Sequence, residues 1–362
     1  MALMIRGLGT ALPAHHIAQS EACRIAQTVA TPDRPAAPSE LRLLEAIHRR
    51  SGVGRRHSVL LEPGEDGSVS QQSFFGSTSP STGERMERYG RESEPLALAA
   101  VRRCLEQAEL PSTGITHLVT VSCTGFQAPG FDLALMRELP LAPEVARTHV
   151  GFMGCHGTLN ALRVAAGFIG ADPGACALIC AVELCTLHLQ YGWHPERIVA
   201  NALFADGAAA LIATGAKEMP TGFQRLIASG SLLIPDSQGA MSWSIEDHGF
   251  VMTLSAKVPA LIAEHLRPWL QDWLSRQGQS LETIGSWAVH PGGPRILSAV
   301  TEALDLAPKL IEPSRSVLKS CGNMSSATIL FILERLRQEQ APGPCLAMAF
   351  GPGLCVEVAL LS

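Results

Sequence analysis

The sequence predicts an α/β protein built on an internal duplication, and three observations carry that prediction. The chain is long and apolar, its short apolar strands alternate with amphipathic helices, and one order of elements recurs at a shift of 168 positions.

At 362 residues the length prior gives roughly two or three units of about 150 residues. Hydrophobic residues make up 46% and charged residues 17%, which sets the chain apart from disordered sequences and implies a large buried core. The alternation is visible in the apolar strand THLVTVSC, the helical patterns EPLALAAVRRCLEQAEL and KVPALIAEHLRPWLQDWLSR, and the strand CALICAVE. Between Arg56 and about Glu92 Gly, Ser, Pro and charge dominate without a period, which predicts a long surface excursion.

The repeat sharpens the picture. Ser112, strand THLVTVSC, the turn Pro129-Gly130, helix FDLALMREL, Gly154-Cys155 opening a helix and strand CALICAVE form one series. Ser280, strand SWAVH, Pro291-Gly292, helix PRILSAVTEALDL, Gly322-Asn323 opening a helix and strand CLAMAF form the other. Ser112 and Ser280, Gly154 and Gly322, and Cys155 and Asn323 are each 168 positions apart. The repeat thus pairs Cys155 with Asn323 and predicts two helix starts facing one site.

A net charge of -5 gives no general electrostatic reason for binding nucleic acid or an anionic membrane. No stretch reaches the roughly 18 uninterrupted apolar residues of a membrane span, and MALMIRGLGTALP lacks the pattern of a secretory signal, so a cytoplasmic protein is expected. The ten cysteines lie mostly in apolar stretches and read as reduced, buried thiols. The run Cys176, Cys180, Cys185, His188 has spacing too irregular for a metal cluster, and no metal is expected.

Three residues suggest chemistry. Cys155 follows small residues at the start of a helical pattern, where the helix dipole and a nearby imidazole would favour the thiolate. His290 ends the strand SWAVH before Pro-Gly-Gly. Asn323 begins a helix, where a capping role is the plain alternative.

The stretches GFMGCHGTLNALRVA, WAVHPGGPRIL, KSCGNMSSATILF, NALFADGAAALI and FGPGLCVEVALL resemble, in order and spacing, the signature blocks of type III polyketide synthases of the chalcone synthase type, and the similarity runs from about Gly7 to the end. The resemblance implies a thiolase-like αβαβα fold. With the duplication it gives an N-terminal half, residues 1–218, carrying the nucleophilic cysteine, and a C-terminal half, residues 219–362, carrying the histidine and asparagine.

It further implies that Cys155 is loaded by a starter acyl-CoA. His290 and Asn323 then hold the enolate oxygen as malonyl-CoA loses carbon dioxide, and the enolate attacks the Cys155 thioester. Phe204 matches the family's gatekeeper aromatic, and its partner position is Met252, where plant members carry an aromatic. Pocket and CoA positions implied by the resemblance include Cys123, Thr124, Cys185, His188, Trp243 and Ser325, with Trp243 standing where plant chalcone synthases have glycine. Arg50 matches one residue that contacts CoA phosphates, Leu43 and Ala46 stand near the places of others, and Arg42, Arg49, Arg55 and Arg56 are alternative sources of charge. Gly292 would let the CoA arm approach the backbone.

The implied substrates are acyl-CoA and malonyl-CoA, with no cofactor beyond these thioesters and a homodimer in which the loop Gln127-Ala128-Pro129 approaches the partner's cavity. An alkylpyrone or alkylresorcinol from a fatty acyl starter is the expected product. The alternatives are a short-chain product such as tetrahydroxynaphthalene, a ketoacyl-ACP synthase of the KAS III type, a cysteine hydrolase and a non-enzymatic scaffold.

Overall fold

A computed structural model describes residues 2–32, 34–64, 72–216 and 225–362. The first part of the chain forms β1 (Ala2–Ala11), β2 (His16–Ala18), α1 (Gln19–Ala30), α2 (Pro38–Arg50), β3 (Arg55–His57), α3 (Thr82–Ala108), β4 (His117–Ser122), α4 (Phe131–Glu138) and β5 (Ala146–Gly151). Next come α5 (Gly157–Ala171), β6 (Cys176–Leu184), α6 (Pro195–Leu203), β7 (Asp206–Ala216), β8 (Leu226–Leu233), β9 (Met241–Glu246) and β10 (Gly249–Leu254). The last part holds α7 (Val258–Ser275), β11 (Ser286–Val289), α8 (Pro294–Leu304), α9 (Glu312–Cys321), α10 (Thr328–Gln338), β12 (Cys345–Gly351) and β13 (Cys355–Leu361).

Two sheets organise these elements. One runs β1-β7-β6-β4-β5 and the other β8-β13-β12-β11. In both, the parallel pairing is followed by two antiparallel ones: β4 with β6, then β7, then β1, and β11 with β12, then β13, then β8. The second sheet therefore repeats the first without a counterpart of β5 among the described residues. Every residue of β6, CALICAVEL, is buried, as expected for a strand covered on both faces.

The layers follow from which helix faces are apolar. Leu159, Leu162, Ala165 and Ile169 of α5 share one core with Ile329, Ile332, Leu333 and Leu336 of α10 and with strands of both sheets, so these two helices form the central layer. Leu96, Ala97, Ala100, Val101 and Cys104 of α3 cover the outside of the first sheet. Ile262, Leu266, Leu270 and Leu274 of α7, with Leu297 and Val300 of α8, cover the second. The result is the five-layered αβαβα arrangement expected from the sequence.

Two expectations need correction. The offset holds to within one residue at the paired glycines and at the strands on either side, which begin at 117 and 286 and at 176 and 345, but it slips at the helix starts. Gly154 and Gly322 both take positive φ, +74° and +79°, but Cys155 lies inside a 3-10 turn over 154–156, whereas Asn323 precedes the matching turn over 325–327 by two residues. The helices behind them begin at 157 and 328, an offset of 171.

The excursion from Arg56 to Glu92 is also interrupted by order at both ends. Arg56 is buried in β3, and α3 starts at Thr82, capped by Ser81, whose hydroxyl accepts from the Glu84 backbone N–H while the Glu84 carboxylate accepts from the Ser81 N–H. The first turns of α3 bury Arg85 and Tyr89 where an aliphatic stripe would be, so no apolar period marks them. Residues 65–71 of that segment lie outside the described residues. No described helix is long and apolar enough to cross a membrane.

Candidate active site

The sulfur of Cys155 is set by a turn that only glycine permits. Gly154 has φ +74°, and a β-carbon there would lie 2.5 Å from Cδ of Pro352, so the Gly351-Pro352-Gly353 loop closes directly beneath the cysteine. His290 follows β11 immediately, its backbone N–H donating to Met348 O at 2.8 Å. Its ring is buried, and neither ring nitrogen has a hydrogen-bond partner.

Asn323 is held from both sides. Its N–H donates to Leu203 O and its carbonyl accepts from Ala205 N–H, both at 2.9 Å, which makes a parallel bridge to Phe204. Its Oδ1 accepts from Ser325 N–H at 2.9 Å. The capping role is therefore real but uses only the oxygen, leaving the amide NH2 as a donor. Cys155, His290 and Asn323 line one cavity of about 10 Å³, otherwise walled by apolar residues such as Met241, Leu254 and Phe350.

Such a cavity favours neutral groups. Burial pushes the Cys155 thiol up to about 12, although hydrogen bonds from Ser325 and Asn323 pull it back. Burial pushes His290 down to about 3, with His156 adding to the effect. Burial of both partners thus works against the thiolate expected from the sequence, while the hydrogen bonds to the sulfur work for it. Iodoacetamide alkylation at Cys155, read by peptide mass spectrometry, should rise about tenfold per pH unit between pH 6 and 9. A rate already level at neutral pH would mean a thiolate–imidazolium pair instead.

The other sequence-derived residues fall around this centre. Cys123, Thr124, Cys185, Phe204, Trp243, Met252 and Ser325 line a cavity of about 30 Å³ together with Cys155. Cys185, His188, Phe204, Trp243 and Met252 line a second, of about 40 Å³. Trp243 lines both, as do Cys185, Phe204 and Met252: its Nε1–H donates to Cys123 O at 2.7 Å and its ring packs edge-on to His188 and Phe250. Met252 sits opposite Trp243 across the β9–β10 hairpin.

Arg50 and Gly292 line a third cavity, of about 490 Å³, and Gly292 also lines the one holding Cys155. Leu43, Ala46 and Arg295 are on its wall too. Arg56 is not available as a phosphate contact. Its buried guanidinium donates to Gln19 Oε1 and to the carbonyls of Asn201, Ala202 and Phe204. Arg55 donates to Ser320 O. Among the described residues no three His, Cys, Asp or Glu side chains are placed to share a metal ion.

One residue was missed. The Glu183 carboxylate is fully buried and accepts from Thr124 Oγ1 at 2.6 Å, Cys123 N–H at 3.1 Å and Ser326 Oγ. Burial raises its pKa while these donors lower it. It ties together the strand ends beneath Cys123 and Ser325. A lone acid in the otherwise apolar CALICAVEL was the available signal.

Comparison with known proteins finds two family matches, "Chalcone and stilbene synthases, N-terminal domain" over residues 2–217 and "Chalcone and stilbene synthases, C-terminal domain" over residues 225–362. A 1,3,6,8-tetrahydroxynaphthalene synthase of Streptomyces peucetius subsp. caesius is 32% identical, the match covering 99% of this chain and 92% of that protein. The alpha-pyrone synthesis polyketide synthase-like Pks18 of Mycobacterium tuberculosis is 29% identical over 98% of this chain and 89% of its own. The crystal structure of PKS-I from the brown alga Ectocarpus siliculosus superposes with a TM-score of 0.91 at 28% identity, covering 99% of this chain and 98% of that one.

Proposed function

The chain belongs to the chalcone and stilbene synthase family and is a type III polyketide synthase, and we propose that Cys155 carries its acyl chain while His290 and Asn323 hold the enolate. The observation that carries this assignment is the pair of buried His290 ring nitrogens without partners, sharing a small apolar cavity with the Asn323 amide and the Cys155 sulfur. Buried polar atoms without partners are rare and call for a ligand to complete them.

In this reading the starter acyl group passes from CoA to Cys155 Sγ, releasing the CoA thiol. Malonyl-CoA enters by the cavity lined by Arg50 and Gly292. As its carboxylate leaves as carbon dioxide, the thioester oxygen takes up the negative charge and accepts hydrogen bonds from His290 and from Asn323 Nδ2. The new carbon nucleophile attacks the Cys155 thioester, displacing the sulfur. The extended chain stays on CoA until it is loaded back, and the last intermediate cyclises. Phe204 and Met252 stand as the gate between the CoA arm and the inner cavities. The reading takes residues 1–218 and 219–362 as its two halves, uses no cofactor beyond CoA thioesters, and places the enzyme in the cytoplasm as a homodimer.

An alkylpyrone or alkylresorcinol is the product class first expected. A second reading, a short-chain product of the tetrahydroxynaphthalene kind, is favoured by the cavities of about 30 and 40 Å³ on either side of Trp243, which leave little room for a fatty chain. Purified enzyme given malonyl-CoA, with and without acyl-CoAs of 2 to about 18 carbons, and no acyl carrier protein, separates these by product mass. Products from malonyl-CoA alone support the short-chain reading, and products only with long starters support the first. Turnover that requires an acyl carrier protein would overturn both and point to the KAS III alternative.

A further inference from the structure

We propose that Thr82, at the start of α3, is a positioning residue that sets the size of the chain-building cavity from outside it, by clasping the tip of the β9–β10 hairpin. The inference rests on the polyketide synthase reading above.

The hairpin pairs with neither main sheet, since β9 and β10 form a two-stranded sheet of their own. Such a ribbon is marginal by itself and takes its position from what holds it. Yet it carries much of the inner wall: Met241, Ser242 and Trp243 on one strand and Met252 on the other. Where it sits decides how much room the cavity offers.

Besides the Trp243 Nε1–H bond to Cys123 O, two sets of contacts hold it near its turn. Beside the turn, on the cavity-facing side of Phe250, His188 stacks on that ring with centroids 4.1 Å apart. Its Nε2–H donates to Thr124 O at 2.7 Å, and its Nδ1 accepts from Phe250 N–H at 3.0 Å, a pattern that requires the neutral ring. Gln190 adds donations to the carbonyls of His248 and Phe250.

At the turn itself the holder is α3. Thr82 N–H donates to Asp247 O at 2.8 Å, and the Thr82 hydroxyl donates to Glu246 O and accepts from Gly249 N–H at 2.8 Å. One side chain thus spans both strands at the turn. Beneath it Gly249 has φ +98°, and a β-carbon there would lie 2.8 Å from Nη1 of Arg85, so the tip rests directly on the buried guanidinium. Arg85 is fixed in turn by donating to Pro80 O, Leu189 O and Ser79 Oγ. The rest of α3 is packed on the first sheet through Leu96, Ala97 and Ala100. A helix anchored in the core therefore pins a ribbon that has no sheet of its own. Thr82 lines neither inner cavity, so its effect on them passes through the hairpin.

The test is Thr82→Val, which keeps the branched shape and the backbone bond but removes both hydroxyl bonds, with Thr82→Ser as the restoring variant. Hydrogen exchange should show protection of the 242–253 amides falling about tenfold in T82V and returning in T82S, with the rest of the chain unchanged. Products of T82V should shift toward chains at least one malonyl unit longer, and T82S should restore the wild-type distribution. Unchanged protection in 242–253, a loss of protection spread evenly over the chain, or loosened exchange with an unchanged product distribution would each overturn the proposal. Absence of any polyketide from the wild-type enzyme would instead sink the functional reading, and the exchange measurement would still decide the clasp.

Discussion

Replacing His290 with alanine is expected to slow decarboxylation of malonyl-CoA by roughly 10²–10³, the usual effect of losing one donor from a buried oxyanion site. Cys155→Ala should leave decarboxylation running while abolishing chain extension. The difference follows from geometry. On the proposed reading the His290 ring and the Asn323 amide are the donors that face a thioester oxygen in that cavity, and Cys155 carries the acyl group. Asn323→Ala should fall in the same range as His290→Ala, and the double variant should lose less than the product of the two, since both serve one oxygen. Acetyl-CoA release from malonyl-CoA, followed by mass spectrometry, measures the first step, and product mass measures the second. Equal loss of acetyl-CoA release in C155A and H290A would refute the division of labour.

The second large effect is expected at Trp243. Its indole forms part of the partition between the cavities of about 30 and 40 Å³, with Cys185, Phe204 and Met252, so Trp243→Gly should enlarge both and move the products toward longer starters or further extension. Pocket contacts of this kind change the choice between substrates by roughly 10–200-fold, enough to make a minor product the main one. The Trp243 side chain is only partly buried, so the loss of stability should fall below the roughly 3–5 kcal/mol typical of deleting a fully buried aromatic. Chain length and ring pattern unchanged in W243G, with the protein still folded by thermal melting, would show that the partition does not limit growth.

Legibility in the sequence tracked the physical origin of each feature. Strands buried on both faces announce themselves as unbroken apolar runs, as in CALICAVEL, and the repeat of order survives divergence because both halves cover the same central helices. Cys155, His290 and Asn323, which the fold brings to one cavity, were singled out by the motifs around them. Charge was much less so. Arg56 sits in an arginine-rich stretch that reads as a phosphate contact, but its neighbours from α1 and α6 are far away in sequence and bury it. The start of α3 was hidden because Arg85 and Tyr89 occupy its inner face. The state of the Cys155 thiol depends on how completely water is excluded, a property of the assembled cavity that no local pattern encodes.

The parallel bridge between Phe204 and Asn323 has a consequence for anyone redesigning this enzyme. The N–H and carbonyl of Asn323 are tied to Leu203 and Ala205, the two neighbours of Phe204 in the chain. With the roles proposed above, aperture and turnover are mechanically geared. Widening the entrance by moving the backbone at 203–205 would drag the amide proposed to steady the enolate, so an enlarged opening should come with a slower reaction. Trimming the Phe204 side chain alone, with the main chain left in place, is the route by which the two can be tuned apart.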